Sequence, residues 1–249
     1  KWEDKSYNFN KIEELIENDN IQSGLILLPE MFSTGFSMNS DLAETMDGKS
    51  VKYLTKIASR FDCYLGATLS IFEEGKYYNR FLVVDKNGVQ CQYDKRHLFS
   101  LGKENEVFSP GTEKVIFELE NWRLCLQICY DLRFPVFSRN DKDNPYDCLI
   151  YLANWPEKRS FAWESLLVAR AIENQSYVLG VNRVGQDGNK LTYSGNSKAI
   201  DPLGKTISEV EENKEACVNF LLRKEEIRKN RELLPFLSDS DNCSIDSIK

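Results

Sequence analysis

The sequence has very little of what a metal site would need. It contains one histidine, His97, and its seven cysteines stand at positions 63, 91, 125, 129, 148, 217 and 243 with no C-x-x-C pair. Structural zinc is held by clustered cysteine and histidine ligands, and Cys125 and Cys129 on one extended strand would lie too far apart to share an ion. We therefore expect no metal.

The sequence also lacks long apolar runs and basic blocks. Its longest apolar runs, "GLILLP" and "CLIYLA", fall far short of the roughly 20 residues that span a bilayer. No basic-then-apolar segment opens it, and the net charge of −7 would repel a phosphate backbone. An odd number of cysteines, mostly within apolar runs, does not suggest a disulfide framework. We expect a cytoplasmic protein that binds neither membrane nor nucleic acid.

Helix-like and strand-like segments alternate along the chain. Apolar residues recur at helical spacing around residues 9–16 and again from Val51, where Ser50 is the candidate N-cap, and later in "FAWESLLVARAIENQ". Strands are predicted at "GLILLPE", in three runs between Cys63 and Lys95 with a "DKNG" hairpin, and at "NWRLCLQIC", "DCLIYLANWP", "YVLGVNRVG", "SKAIDPLGKTI" and "EACVNFLL". This pattern predicts one α/β domain over residues 1–249, a mixed sheet covered by helices.

Three predicted strands end on residues that together suit acyl transfer: Glu30, Lys95 and Cys129. A thiol is a poor nucleophile until a base takes its proton and a positive charge lies nearby, and glutamate and lysine supply both. On a strand-to-helix turn, the amide N–H of Tyr130 would point to a developing oxyanion, which the Lys95 ammonium could also contact. This set would suffice to hydrolyse an amide or a nitrile.

Each residue taken singly has a plainer interpretation. A cysteine that ends an apolar strand is more often packed in a core, a lone Glu30 would usually be solvated, and Lys95 in "YDKRH" would usually be a surface charge. His97 is the only candidate base for a Cys–His mechanism, but we expect it to be a hydrogen-bonded structural residue.

Six blocks in fixed order carry a family resemblance: "LLPEMFSTGF", "YDKRHLF", "LCLQICYDLRFP", "ANWP", "LLVARAIENQSYVLGVNRVG" and "YSGNSKAIDPLG". Together they resemble the nitrilase, or carbon–nitrogen hydrolase, superfamily, and within it the omega-amidase branch. The resemblance runs from about Trp2 to Asp241. It implies a four-layer α-β-β-α sandwich, commonly paired as a homodimer, and no metal or organic cofactor.

The resemblance also implies residue roles. Glu30 would be the general base, Lys95 would stabilise the tetrahedral intermediate, and Cys129 would attack to form a thioester. A second glutamate lies beside this triad in the family, and spacing back from "SPG" matches it to Glu104, with Glu106 as the alternative.

The omega-amidase branch acts on ω-amides of 2-oxo dicarboxylic acids, 2-oxoglutaramate and 2-oxosuccinamate. Arg133 and Arg159 are candidate cations for the far carboxylate, and Phe36, Tyr130 and Trp155 are candidate pocket walls. In the plainer interpretation, Arg133 pairs with a buried acid such as Asp131, and the aromatic residues belong to the core.

Other functions stay open on the sequence alone. They are an N-carbamoyl amino-acid hydrolase, an aliphatic amidase, a true nitrilase, and a catalytically idle scaffold of the same fold. The family has a central strand before the point where this sequence begins, at "KWED". A chain without that strand would leave buried backbone groups unpaired at about 1–3 kcal/mol each, so we expect a trimmed sequence rather than a truncated protein.

Overall fold

A computed structural model describes residues 1–18 and 24–241 of the chain; Cys243 lies outside them. The helices are α1 (Lys5–Asn18), α2 (Lys49–Phe61), α3 (Glu104–Val107), α4 (Pro135–Ser138), α5 (Ser160–Asn174) and α6 (Lys224–Leu233). The strands are β1 (Leu25–Leu27), β2 (Tyr64–Glu73), β3 (Lys76–Asp85), β4 (Gly88–Asp94), β5 (Ile116–Leu119), β6 (Trp122–Ile128), β7 (Cys148–Ala153), β8 (Tyr177–Asn182), β9 (Val184–Gln186), β10 (Thr192–Ser194), β11 (Lys198–Ile200) and β12 (Thr206–Glu209).

Two main sheets form the centre of the molecule. The first has the order β1-β2-β3-β4, with β1 parallel to β2 and the other pairs antiparallel. The second has the order β12-β11-β8-β7-β6-β5, and its inner strands β6, β7 and β8 run parallel. Every residue of β7 is buried, as expected for a continuous apolar strand covered on both faces. β9 and β10 pair as a separate hairpin.

The alternation of side chains along β3 shows how the layers stack. Leu82 and Val84 pack in one core with the apolar residues of α1, α2 and β2. Phe81 and Val83 point to the opposite face and pack in a second core with β6, β7 and α5. The predicted four-layer α-β-β-α sandwich is therefore confirmed.

Three details of the sequence-based prediction are wrong. The run "SKAIDPLGKTI", predicted as one strand, forms the two antiparallel strands β11 and β12 with a turn between them. Ser50 lies inside the first turn of α2 rather than at its N-cap, because the carboxylate of Glu44 accepts hydrogen bonds from the Ser50 amide at 2.6 Å and its hydroxyl at 2.8 Å. The predicted strand at residues 215–222 does not form. This segment lines a cavity of about 870 Å³ that it shares with β1 and β8, and no described strand pairs with it. An apolar run becomes a strand only where a neighbour offers a free hydrogen-bonding edge.

Within residues 1–18 and 24–241, no helix combines the length and apolar character that a membrane crossing requires.

Candidate active site

The two sheets bring the four expected catalytic residues into one cluster. Lys95 directly follows β4, Cys129 directly follows β6, Glu30 lies three residues beyond β1, and Glu104 begins α3. Glu30, Lys95 and Glu104 are at most 1% exposed, and Cys129 is 9% exposed. Charged side chains are rarely buried so completely unless they are paired, so their contacts determine what the site can do.

The three charged groups form one ion cluster. The Lys95 Nζ donates to Glu30 Oε1 at 2.8 Å and to both oxygens of Glu104, at 3.1 and 2.9 Å. Glu106, the alternative to Glu104, is exposed and lies 3.8 Å from Lys103 instead. The spacing argument thus selected the glutamate that contacts Lys95.

Two asparagines that the sequence reasoning missed complete the cluster. Asn79, on β3, donates from Nδ2 to Glu30 Oε1 at 2.8 Å and to Glu104 Oε1 at 2.9 Å. The backbone N–H of Asn154, just after β7, donates to Glu30 Oε2 at 2.8 Å, and its carbonyl accepts from Cys129 Sγ at 3.8 Å. Asn154 therefore links Glu30 to Cys129. Asparagine is depleted in strand interiors, so Asn79 within the β-rich run "KYYNRFLVV" was an available signal.

Cys129 lies at a sharp change in chain direction between β6 and a short 3-10 helix, and we call residues Ile128–Tyr130 the elbow. Its φ is 43°, in the left-handed region that non-glycine residues seldom adopt, and residues Cys129–Arg133 continue as a short 3-10 helix. Tyr130 lies in the first turn of that helix, where backbone N–H groups have no intrahelical acceptor. Such a turn is suited to present backbone N–H groups to an oxyanion.

Burial and charge together set the protonation of the cluster. Burial raises the pKa of the Cys129 thiol well above its usual range, Glu30 raises it further, and Lys95 only partly opposes this. Burial alone would lower the pKa of the Lys95 ammonium, but Glu104 and Glu30 outweigh it and raise the pKa above its ordinary value. Burial raises the pKa of Glu104 despite Lys95, and Glu30 adds to the rise. Burial and the neighbouring carboxylates thus favour the protonated thiol of Cys129 over the thiolate.

His97 contacts Asp131, two residues after Cys129, and the Phe134 ring. Its Nδ1 lies 2.8 Å from Asp131 Oδ1, and its backbone N–H donates to the same oxygen at 3.0 Å. The other oxygen of Asp131 accepts from Tyr93 Oη at 2.7 Å and from the Ile128 N–H at 2.9 Å. The His97 ring stacks on Phe134 with 3.8 Å between centroids. These contacts fit the expected structural histidine.

The candidate pocket walls lie around the cluster. The Lys95 Nζ is 5.1 Å from the ring centroid of Phe36. The Arg133 guanidinium carbon stands 4.7 Å from the Trp155 ring centroid, and the Trp155 indole N–H donates to the Arg159 carbonyl at 2.8 Å.

The two arginines face aromatic rings rather than acids. Arg159 lies 5.2 Å from the Phe99 centroid, and Phe99 packs edge-on against Tyr130 at 5.1 Å. In the described part of the chain, neither Arg133 nor Arg159 forms an ion pair, and the carboxylate of Asp131 is satisfied by other donors. Both guanidiniums thus remain available for an anion.

No group of three or more histidine, cysteine, aspartate or glutamate side chains with metal-site geometry occurs in the described ranges. The side chains that gather at the elbow are instead those of thiol-based acyl transfer: a thiol, two carboxylates and one ammonium.

Comparisons with known proteins give a consistent result. The family model described as carbon-nitrogen hydrolase matches residues 1–229. The chain is 40% identical over 240 residues to Omega-amidase YafV of Yersinia enterocolitica, which covers 96% of the chain and 93% of that protein. It is 33% identical over 238 residues to 2-oxoglutaramate amidase of Bacillus subtilis, covering 94% and 91%.

A solved structure shows the same architecture. It is a CN-hydrolase superfamily protein of Xanthomonas campestris with an arsenic adduct in its active site. It superposes with a TM-score of 0.94 at 38% identity, covering 99% of this chain and 95% of its own.

Proposed function

The chain belongs to the carbon–nitrogen hydrolase family, and from this membership we propose that it releases ammonia from the ω-amide of a small 2-oxo dicarboxylic acid. It is a hydrolase that acts on amides, as its relatives are. The single observation that carries the proposal is the Glu30–Lys95–Glu104 ion cluster, which Asn154 links to Cys129.

In the proposed mechanism, Glu30 takes the proton of the Cys129 thiol as the sulfur attacks the amide carbonyl. The raised pKa of that thiol supports proton transfer during attack rather than a resting thiolate. The Lys95 ammonium and the Tyr130 N–H stabilise the oxyanion of the tetrahedral intermediate. Glu30 then returns the proton to the leaving nitrogen, and ammonia departs as the thioester forms.

The second half of the reaction reverses these roles with water. Glu30 removes a proton from a water molecule that attacks the thioester, and the proton returns to sulfur as the carboxylic acid is released. Glu104 stays bound to Lys95 and holds the ammonium at the oxyanion position. Every step uses side chains and water, so the mechanism needs no cofactor.

The substrate class rests on the arginines and on the relatives. A dicarboxylic monoamide carries a carboxylate at the end remote from its amide, and a guanidinium binds a carboxylate through two parallel hydrogen bonds. Arg133 and Arg159 lie on aromatic residues next to the elbow and have no acid partner in the described chain. Relatives named as an omega-amidase and a 2-oxoglutaramate amidase support the 2-oxo acid.

The test is ammonia release from 2-oxoglutaramate, from an N-carbamoyl amino acid and from a short aliphatic amide, with the Cys129→Ala variant beside the unaltered protein. Release from the oxo-amide alone, lost in the variant, is the expected result. Preference for the carbamoyl or the aliphatic substrate would replace the substrate class but keep the hydrolase. No release, together with no rapid alkylation of Cys129 by iodoacetamide, would favour the idle scaffold.

We also propose a homodimer, as the family resemblance implies. Leu203 is 64% exposed, and Gly204 beside it packs against Ile172, which is 48% exposed. Such adjacent exposed apolar side chains are typical of an interface. Light scattering should give twice the chain mass, and Leu203→Asp should reduce it. The cytoplasmic location is likewise proposed, and cell fractionation tests it.

A further inference from the structure

Two buried carboxylates share a single ammonium in this site, which is an unusual charge arrangement. Glu30 Oε1 and Glu104 Oε1 both contact the Lys95 Nζ, at 2.8 and 3.1 Å. Like charges held this close in a dry site resist joint ionisation, and one of them ordinarily keeps a proton. A proton on either carboxylate would weaken Glu30 as a base, so something must oppose it.

Asn79 occupies the position opposite Lys95. Its Nδ2 donates to Glu30 Oε1 at 2.8 Å and to Glu104 Oε1 at 2.9 Å, two of the three oxygens that Lys95 contacts. The ammonium and the amide nitrogen thus bridge the two carboxylates from two sides. The Asn79 carbonyl also accepts from the Lys95 N–H at 3.0 Å, which fixes Asn79 and Lys95 together.

The orientation of the Asn79 amide is set by these carboxylates. Turning the amide over would place its oxygen against two acids, so only the present orientation is compatible with ionised Glu30 and Glu104. In this orientation, the Oδ1 atom is buried without a hydrogen-bond partner in the described structure. The hydrogen bonds of Asn79 are therefore concentrated at its amide nitrogen, which faces the two carboxylates.

We propose that Asn79 is a positioning residue that keeps Glu30 and Glu104 ionised around one lysine and thereby sets the acid limit of catalysis. This inference rests on the proposed role of Glu30 as the base. A hydrogen bond from a neutral amide favours the ionised form of both carboxylates. A second cation would do the same but would also lower the basicity of Glu30 by neutralising its charge.

The titratable and charged groups that face the two carboxylates are Lys95, Cys129 and each other. Burial raises the pKa of Glu104, and Lys95 and Asn79 oppose that rise, so loss of Asn79 favours a proton on Glu104. Without Asn79, Glu104 keeps a proton at higher pH and donates it in a hydrogen bond to Glu30, which weakens Glu30 as a base. As the pH falls, activity is therefore lost at a higher pH than in the unaltered enzyme.

The test compares Asn79→Leu, Asn79→Ser and Asn79→Asp with the unaltered enzyme across pH 5 to 9, with Asn174→Leu as the control. Asn174 is a fully buried asparagine that bonds to Asn140 and Arg170 outside the site, so its loss disturbs folding without touching the carboxylates. We expect the acid limb of kcat/KM to move upward by about one pH unit in Asn79→Leu, the size expected for losing a hydrogen bond to a charged group. Asn79→Ser, which keeps one donor, should shift it less.

The Asn79→Asp variant adds a third carboxylate beside one ammonium, so it should show the largest loss of activity near pH 6. A uniform loss at every pH, or an acid limb unchanged in all three variants, would overturn the inference and leave Asn79 a structural residue. The rate of Cys129 alkylation against pH provides the same comparison without substrate. If the proposed substrate is not hydrolysed, the alkylation measurement therefore still tests the inference about Asn79.

Discussion

Replacing Lys95 by methionine removes the only cation that contacts Glu30 and Glu104 in the described chain while keeping the side-chain volume. Lys95 Nζ makes three hydrogen bonds of 2.8 to 3.1 Å to the two carboxylates, and all three side chains are fully buried. Removing one partner of a buried ion pair costs about 3–5 kcal/mol, because the charges left behind can reach neither water nor a counter-charge. We therefore expect the free energy of unfolding of Lys95→Met to be lower than that of the unaltered protein by about 3–5 kcal/mol near pH 7.5.

The loss should depend on pH with a definite sign. Burial and Glu30 already raise the folded-state pKa of Glu104, and loss of Lys95 raises it further. A carboxyl whose pKa is higher in the folded than in the unfolded state binds its proton more tightly when folded. Its stabilising contribution is complete below the pKa of the unfolded state, about 4.3, and is lost as the pH rises through the pKa of the folded state. The deficit of Lys95→Met should therefore shrink between pH 7.5 and pH 5.5.

Urea denaturation followed by tryptophan fluorescence at the two pH values measures this deficit. Lys198→Met is the matched control, because Lys198 also contacts two glutamates, Glu164 at 2.6 Å and Glu209 at 3.4 Å, but near the surface. Partly exposed pairs contribute at most about 1 kcal/mol. A Lys95→Met deficit no larger than that of the control, or one that stays constant with pH, would refute the charge arrangement described for the site.

Three other variants test the remaining roles. Cys129→Ala should abolish amide turnover while the thermal midpoint stays within a few degrees, since a methyl group replaces a small buried thiol; measurable turnover would rule out Cys129 as the nucleophile. His97→Ala removes one of four hydrogen bonds to Asp131 and should lower stability by about 1.5–3 kcal/mol with activity kept within about tenfold; a folded variant as inactive as Cys129→Ala would revive a Cys–His mechanism. Arg133→Met should raise KM for a carboxylate-bearing amide about tenfold or more and spare a neutral short amide; equal effects on both substrates would remove Arg133 from carboxylate binding.

The sequence was informative where local pattern and function coincide. Strands that end on Glu30, Lys95 and Cys129 were recognisable because an apolar run followed by a charged or nucleophilic residue needs no knowledge of distant contacts. The four-layer fold came from the family resemblance, since alternating segments alone predict only helices on a mixed sheet. The choice of Glu104 also came from the family resemblance, by spacing back from "SPG", and the structure shows its contact with Lys95.

Partners far apart in the chain were not predictable in this way. Asn79 is 49 residues from Glu30, and their contact arises only when β1 and β3 assemble in the first sheet. Asn154 is 124 residues from Glu30, and their contact arises only when the two sheets pack. Asn154 lies in the "ANWP" block, which supported the family resemblance without giving Asn154 a role, and Asn79 lies in none of the six blocks. The predicted strand at residues 215–222 failed for the same kind of reason, because its apolar residues are compatible with a strand but cannot supply the neighbouring edge.

The net charge of the site suggests that the amide and the carboxylate of the substrate are bound in two separate places. Glu30, Glu104 and Lys95 sum to one negative charge, and moving the Cys129 proton to Glu30 leaves that sum unchanged. A neutral amide group can approach such a centre without electrostatic cost, whereas a carboxylate would be repelled at short range. A substrate that carries both groups must therefore keep its carboxylate away from the triad and near separate cations. Arg133 and Arg159, which lie on the Trp155 and Phe99 rings, are the cations that we propose for this role.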